Sequence, residues 1–436
     1  MRAILKHTTK SLFIVIYFFG SCEGPKKTAH ASDAQNQQIN SYSLSSDDDL
    51  DVLIREIGKA RIVLLGEASH GTAEYYNWRA AISKKLITEK GFNLLAVEGD
   101  HIDLYRLNRC IKGEPGDTDI IRVLSAFDRW PQWLWGNEEF AGFAQWIKNR
   151  NVGLVDEKKV NVCGLDVFNF AAALKQLLTV LDDSIALHHA KRAQDCLKPF
   201  GGDALRYSTA VSKGSFACKE EVYSLWQAVQ KIAGKRIDNE KELSLIQHAL
   251  VVLDGEQYFR LRNTDAADSW NARVRHMQEM IRRLLQFYGR DAKLIVWAHN
   301  THIGDARYTD MPTRRRTNIG ELLRKEYDEK NVFSVGFGSY SGEIIGGYSW
   351  GAPFSKIKIR PAKEGSWEQL LHMDGAHDKI VLSKDNMNNA RLKTWTEQRS
   401  IGVVYSETYI PSLIAMRYDA FIYFDSTHAI HPLKQY

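Results

Sequence analysis

Short apolar runs punctuate the chain, and several end on a residue able to do chemistry. RIVLLG (61–66) stops at Glu67, NLLAV (93–97) at Glu98, VNVCGL (160–165) at Asp166 and KLIVWA (293–298) at His299. VFSVGF (332–337), IGVVY (401–405) and the run over 419–424 follow. The runs are continuous rather than alternating, which predicts strands covered on both faces, as in a largely parallel sheet. Between the first two, Thr72 offers an N-cap, Glu74 suits a helix N-terminus and Gly91 a C-terminal stop. A helix from residue 73 to about 90, and with it a β-α-β unit, is expected. Parallel neighbours would bring Glu67 and Glu98 together, at the edge where open α/β sheets hold ligands.

From about residue 116 the pattern turns helical, over about 138–150, 169–197, 219–234, 239–254 and 257–288, broken by the strand at 160–165. The expected fold is α/β: a central, mostly parallel sheet flanked by helices, with a mostly helical insertion (116–290) acting as a lid. The catalytic core would then lie in two parts, 47–115 and 291–436.

The N-terminus reads differently. Arg2, Lys6 and Lys10 precede an apolar run, Leu12 to Phe19, too short to span a bilayer. Gly20, Ser21 and Cys22 follow. A basic start, a short apolar stretch and small residues predict a secretory signal over 1–22. Cys22 is placed as in a bacterial lipoprotein, although Phe19 stands where such signals usually have Leu. Export to the periplasm, or a membrane anchor through lipidated Cys22, is the expectation. Residues 23–46 are polar and aperiodic and read as a flexible tether.

Composition narrows the function. Hydrophobic residues make up 44% and charged residues 25%, enough for a real core. A net charge of +5, from 58 basic and 53 acidic side chains, is too small and scattered to suggest nucleic acid. The remaining cysteines, Cys110, Cys163, Cys196 and Cys218, form no CxxC pattern. Cys163 sits in an apolar run and reads as buried. Cys196 and Cys218 flank a glycine-rich loop, and an exported protein could either bridge them or leave them free.

Three clusters carry candidate chemistry. Glu67 and His70 share a strand-to-helix turn, where a titratable pair is held rigidly and still meets substrate. Arg79 falls inside the apolar stripe formed by Tyr75, Trp78, Ile82 and Leu86. A charge on a buried face needs a partner, and Glu67 or Glu98 could supply it. Such an Arg could steady a carboxylate or a developing oxyanion. His299 and His302 follow the strand KLIVWA. Trp130, Trp133 and Trp135 could line a cleft for an apolar substrate or simply fill the core. No GxSxG elbow is present, since Ser sits one place late in Gly338-Ser339-Tyr340-Ser341-Gly342. HExxH, Walker and GxGxxG motifs are also missing. Water activated by His is the simplest hydrolytic reading. A divalent metal held by Glu67, His70, Glu98 and His299 is an alternative. An exported lipoprotein that binds a small molecule or haem without turnover is another.

LLGEASHG with Arg79, LLAVEGD, WPQWLWGNEEF, GLDVF, SWNARVRHM, VWAHNTHI and FIYFDSTHAIHPL occur in that order from about 61 to 433. Together they resemble the erythromycin esterase family. The resemblance implies opening of a macrolide lactone, hence macrolide resistance, by ester hydrolysis without a metal or other cofactor. It implies His70 as the base, Glu67 as its orienting carboxylate, Arg79 and Glu98 as paired site residues, and His299 and His302 as a second pair. Arg273, inside SWNARVRHM, becomes a candidate substrate contact. The family often has Asp where this chain has Val274.

Overall fold

The computed structural model describes residues 38–214, 216–234 and 237–434. Its strands are β1 (Tyr42–Ser43), β2 (Ile62–Leu65), β3 (Leu94–Asp100), β4 (Asn161–Asp166), β5 (Leu294–Trp297), β6 (Val332–Gly347), β7 (Phe354–Ile359), β8 (Lys379–Leu382), β9 (Thr396–Ser400), β10 (Thr408–Ser412) and β11 (Ala420–Thr427). The main sheet runs β1-β8-β11-β6-β2-β5-β3-β4, and β7 pairs with the far half of β6. The pairs from β11 to β4 are parallel; β8 on β11, β1 on β8 and β7 on β6 are antiparallel.

This order corrects one expectation. β2 and β3 are joined in sequence but not paired in space, because β5 is inserted between them. His299, just after β5, therefore lies between the strands that carry Glu67 and Glu98.

The pleat divides each central strand between two cores. Val63, Leu65, Leu95, Val97, Ile295 and Trp297 face one side, toward the helices Ala73–Lys90 and Glu138–Asn151. Ile62, Leu64, Leu94, Ala96, Leu294 and Val296 face the other, under helices from Phe170–Val180 to Ala266–Phe287. The stretch 116–290 thus contributes to both helical layers.

Several helix ends differ from the sequence expectation. The helix expected over 169–197 breaks into Phe170–Val180 and Ser184–Leu197, and the Asp183 side chain caps the second. The break expected near residue 255 falls instead between Leu261 and Ala266, where Asp265 caps the new helix. Gly255 is interior to Glu240–Leu261. A Cβ there would stand 2.5 Å from the Phe170 Cβ, so this glycine serves close helix packing rather than helix termination.

The run 401–405 is no strand. Ile401 and Val404 make isolated bridges to Ser69 and Gly347, leaving the segment draped beside the sheet's C-terminal edge.

The signal segment 1–22, Cys22 and the tether up to residue 37 lie outside the described residues. Residues 38–46 are not tether. Ile39 and Leu44 are buried, and β1 pairs with β8, so apolar burial and strand bonding fix this part. No described helix is long and apolar enough to cross a membrane.

Cys196 and Cys218 form a disulfide across 22 residues, tying Ser184–Leu197 to the start of Lys219–Ala233. Cys110 and Cys163 are buried and free. A crosslink of this loop length is worth about 3 kcal/mol through the unfolded chain. Urea unfolding of a Cys196→Ser, Cys218→Ser variant should show a loss of that order; unfolding indistinguishable from wild type would count against the bridge.

Candidate active site

Four parallel strands deliver the site side chains to one sheet edge. Glu67 follows β2, Glu98 lies in β3, Asp166 ends β4 and His299 follows β5. Asn300 locks this edge: its backbone N–H donates to the Glu67 carbonyl (2.8 Å), and its side chain bonds both ways to the Phe337 backbone of β6. A Cβ on Gly66 would stand 2.1 Å from the Asn300 side-chain oxygen, so only glycine fits beside it.

Glu67 is fully buried, and both its oxygens are engaged. Oε1 meets His70 Nδ1 at 2.8 Å; Oε2 accepts from Arg79 Nη2 at 2.8 Å. Arg79 is sandwiched between the rings of Tyr76 and Trp297, 4.6 and 4.7 Å from their centroids. Burial alone would raise the Glu67 pKa, but the Arg79 charge and His70 outweigh it and hold the carboxylate below its usual range. Burial likewise disfavours a charged His70, yet Glu67 prevails and lifts the imidazole above its ordinary value.

Glu98 forms a second node. Oε1 accepts from Arg273 Nη2 (2.8 Å) and lies 3.1 Å from His302 Nε2; Oε2 accepts the backbone N–H of His299 (2.8 Å). Arg273 also forks onto Asp166 at 2.6 and 2.9 Å. Burial opposes ionisation of Glu98, but His302 and Arg273 hold it well below the usual carboxylate range. Trp270, one turn before Arg273, stacks on His302 with centroids 4.7 Å apart and planes 10° apart.

His299 differs from its neighbours. Burial and the nearby His70 ring, 5.0 Å away, depress it to about 3, so it is neutral. Its Nδ1 accepts the Thr301 backbone N–H, which puts the ring proton on Nε2. That Nε2 is buried and has no partner within the chain.

His70, Glu98, His299 and His302 line a cleft of about 320 Å³. Glu67 and Arg79 stand behind it, with no exposed surface. Arg79 is therefore a positioning residue; the expectation that it could touch an oxyanion fails because Glu67 and two rings enclose it.

The tryptophans also separate. Trp135 lines the cleft, but Trp133 is core, packed on Phe354. Trp130 does not line the cleft; it packs on Trp350, which does. Arg273 lines the cleft, with its charge already shared between Glu98 and Asp166.

The metal-ligand alternative does not fit these donors. Both Glu67 oxygens and both Glu98 oxygens are already engaged. Among the described residues no group of three or more His, Cys, Asp or Glu side chains could hold a metal ion.

A model of the erythromycin esterase family matches residues 87–427. The chain belongs to that family. Erythromycin esterase type II of Escherichia coli is 22% identical over 364 residues, covering 78% of this chain and 84% of that protein. The EreC erythromycin esterase, solved as a His-to-Asn variant in its open conformation, superposes with a TM-score of 0.70 at 18% identity, covering 92% of this chain and all of that one. A Bacillus cereus protein superposes with a TM-score of 0.73 at 18% identity, over 91% and 97% of the two chains. A structure described as a succinoglycan biosynthesis protein gives 0.71 at 19% identity, over 92% and 97%. At these identities the structures establish the shared fold, a mostly parallel sheet flanked by helices.

For this family member, sequence reasoning missed Trp270 and Asp166 as site residues. Asp166 carried a signal, because it ends an apolar run as Glu67, Glu98 and His299 do. Trp270 had one too, lying one helical turn from Arg273. Asp100 and its ion-pair partner Arg129 also line the cleft, and nothing in their spacing announced the pairing.

Arg79→Met would leave Glu67 as a buried charge held only by His70. The expected loss is about 3–5 kcal/mol of stability, read from urea unfolding. A loss below about 1 kcal/mol would mean that Glu67 does not need the guanidinium.

Proposed function

We propose that this chain is an esterase-like hydrolase that opens a carboxylic ester, with a macrolide lactone as substrate, using water activated by His70. The observation that carries this reading is the Glu67–His70 pair at the cleft wall, 5.0 Å from a neutral His299 ring. Membership of the erythromycin esterase family supports the hydrolase class and the macrolide substrate.

Glu67 holds the His70 ring through Nδ1, leaving Nε2 to take a proton from water. The resulting hydroxide oxygen bonds to the ester carbonyl carbon. The His299 Nε2–H, neutral and without a partner, donates to the oxyanion as it forms; one such donor is worth about 3 kcal/mol of barrier. When the tetrahedral intermediate collapses, the C–O bond to the alcohol breaks and protonated His70 returns its proton to the leaving oxygen. The products are a carboxylic acid and an alcohol, which in a lactone stay joined in one opened chain. Glu98 keeps the His299 backbone in place, and Trp135 and Trp270 offer apolar walls.

Export fits the same reading. The basic and apolar start of the chain, with Cys22, supplies an address and a lipid anchor, and the Cys196–Cys218 bridge suits an oxidising compartment. An enzyme held in the envelope would destroy a macrolide before it reached the cytoplasm, which is the resistance role.

Two measurements test the chemistry. Wild type and His70→Asn are given erythromycin and the drug is followed by mass spectrometry. A gain of one water with wild type alone is expected; an intact drug with wild type refutes the macrolide substrate. The second concerns pH. A base must be neutral to act, and Glu67 holds His70 above its ordinary value. The rate should therefore rise with pH through a limb above the usual imidazole range. Glu67→Gln removes the charge that raises it, so the limb should move to lower pH while kcat falls. A limb unmoved by that substitution would assign the titration to another group.

A further inference from the structure

A cavity of about 260 Å³ runs along the edge strand β4, between the helices His101–Lys112 and Glu240–Leu261. It shares no lining residue with the active-site cleft. Leu94, Cys163, Leu243, Leu245 and Leu284 give it apolar walls. Its charged lining residues are already paired: Arg109 with Glu114, Glu240 with Lys112, and Lys241 with Asp182.

The polar interior is built around two imidazoles that the hydrolytic reading does not use. His101 Nε2 lies 2.9 Å from His248 Nδ1. Burial brings His248 to about 3; it also holds His101 well below its usual value, and His248 adds to that effect. Both rings are uncharged, so one proton lies between them. Their outer nitrogens, Nδ1 of His101 and Nε2 of His248, are then one donor and one acceptor in either tautomer. The side-chain oxygen of Asn161 is buried without a partner, whereas the His101 ring also meets the Gly164 backbone. Buried polar atoms in native proteins are nearly always paired, so this orphaned acceptor in the cavity wall points to a donor that belongs there.

We propose that this cavity is a second binding site, for a small uncharged molecule with a mostly apolar body and one N–H or O–H donor, of the kind represented by indole or a phenol. The donor meets the Asn161 oxygen and the body lies against the leucines. A charged ligand would find no unpaired counter-charge and would be poorly solvated. The volume suits a single ring system.

The test is titration calorimetry of the full chain with indole and with indene, which has the same shape without the N–H. Saturable one-site binding of indole is expected, with indene at least tenfold weaker. His70→Asn should bind indole as wild type does, since the cleft is not involved. Ser244→Trp, which fills the cavity from its helix wall, should abolish binding. Asn161→Leu should bind the two probes equally and keeps the test available if Ser244→Trp does not fold. No saturable binding, or binding that survives in Ser244→Trp, would overturn the site. Equal affinity of wild type for both probes, or a tenfold preference kept in Asn161→Leu, would overturn the assigned donor contact.

Discussion

A carboxylate with no exposed surface at the end of a central strand must be neutralised where it stands, and the site follows from that constraint. Glu67 cannot reach water, so a cation has to come to it. Arg79 does so from the helix that follows β2, inside a stripe of residues that otherwise seeks the core. The guanidinium is tolerated there because Tyr76 and Trp297 cover its faces and Glu67 takes one edge. It occupies only one of the two glutamate oxygens. The other remains to fix His70 and to charge it more readily. Stabilising the buried acid and preparing the histidine are one arrangement.

The same solution is repeated two strands away. Glu98 and Asp166 share Arg273, which comes from the opposite helical layer. β5 lies between the strands of the two carboxylates and delivers His299 between their two nodes. The imidazoles near one another are driven apart: Glu67 supports charge on His70, while burial and that neighbouring charge keep His299 neutral. Two like cations with buried rings 5.0 Å apart would repel strongly, so ionisation of one suppresses the other. A raised base beside a depressed donor is the division of roles that acid–base chemistry on a carbonyl requires.

Much of this was legible in the chain. Continuous apolar runs marked the parallel strands, and the chemistry-bearing residue after each run marked the edge. The position of Arg79 within an apolar stripe announced a buried partner. Strand order was not legible, because inserting β5 between β2 and β3 depends on which helices cover which face, a choice made by long-range packing. β7 (FSKIKI) escaped notice because it is a partly exposed edge strand with alternating character, and β8 because its apolar run is only Ile380, Val381 and Leu382, between Lys379 and Ser383. Gly255 misled for a related reason: a glycine that ends a helix and one that lets a second helix approach look alike until the second helix is in place. The fork of Arg273 onto Asp166 spans 107 residues, and no local pattern encodes such a separation.

The Arg273 contacts also limit how the cleft can open. Lifting the helix Ala266–Phe287 would strip one guanidinium from two buried carboxylates and unstack Trp270 from His302. Breaking a buried pair in this way costs about 3–5 kcal/mol, a large share of a typical domain's stability. The opposite wall is held more lightly. Residues 401–404 touch the sheet edge through isolated bridges, and Trp350 stands 46% exposed at the cleft wall. The helical layer therefore acts as a fixed wall that carries charge, and what freedom the cleft has to widen resides in the loops facing it.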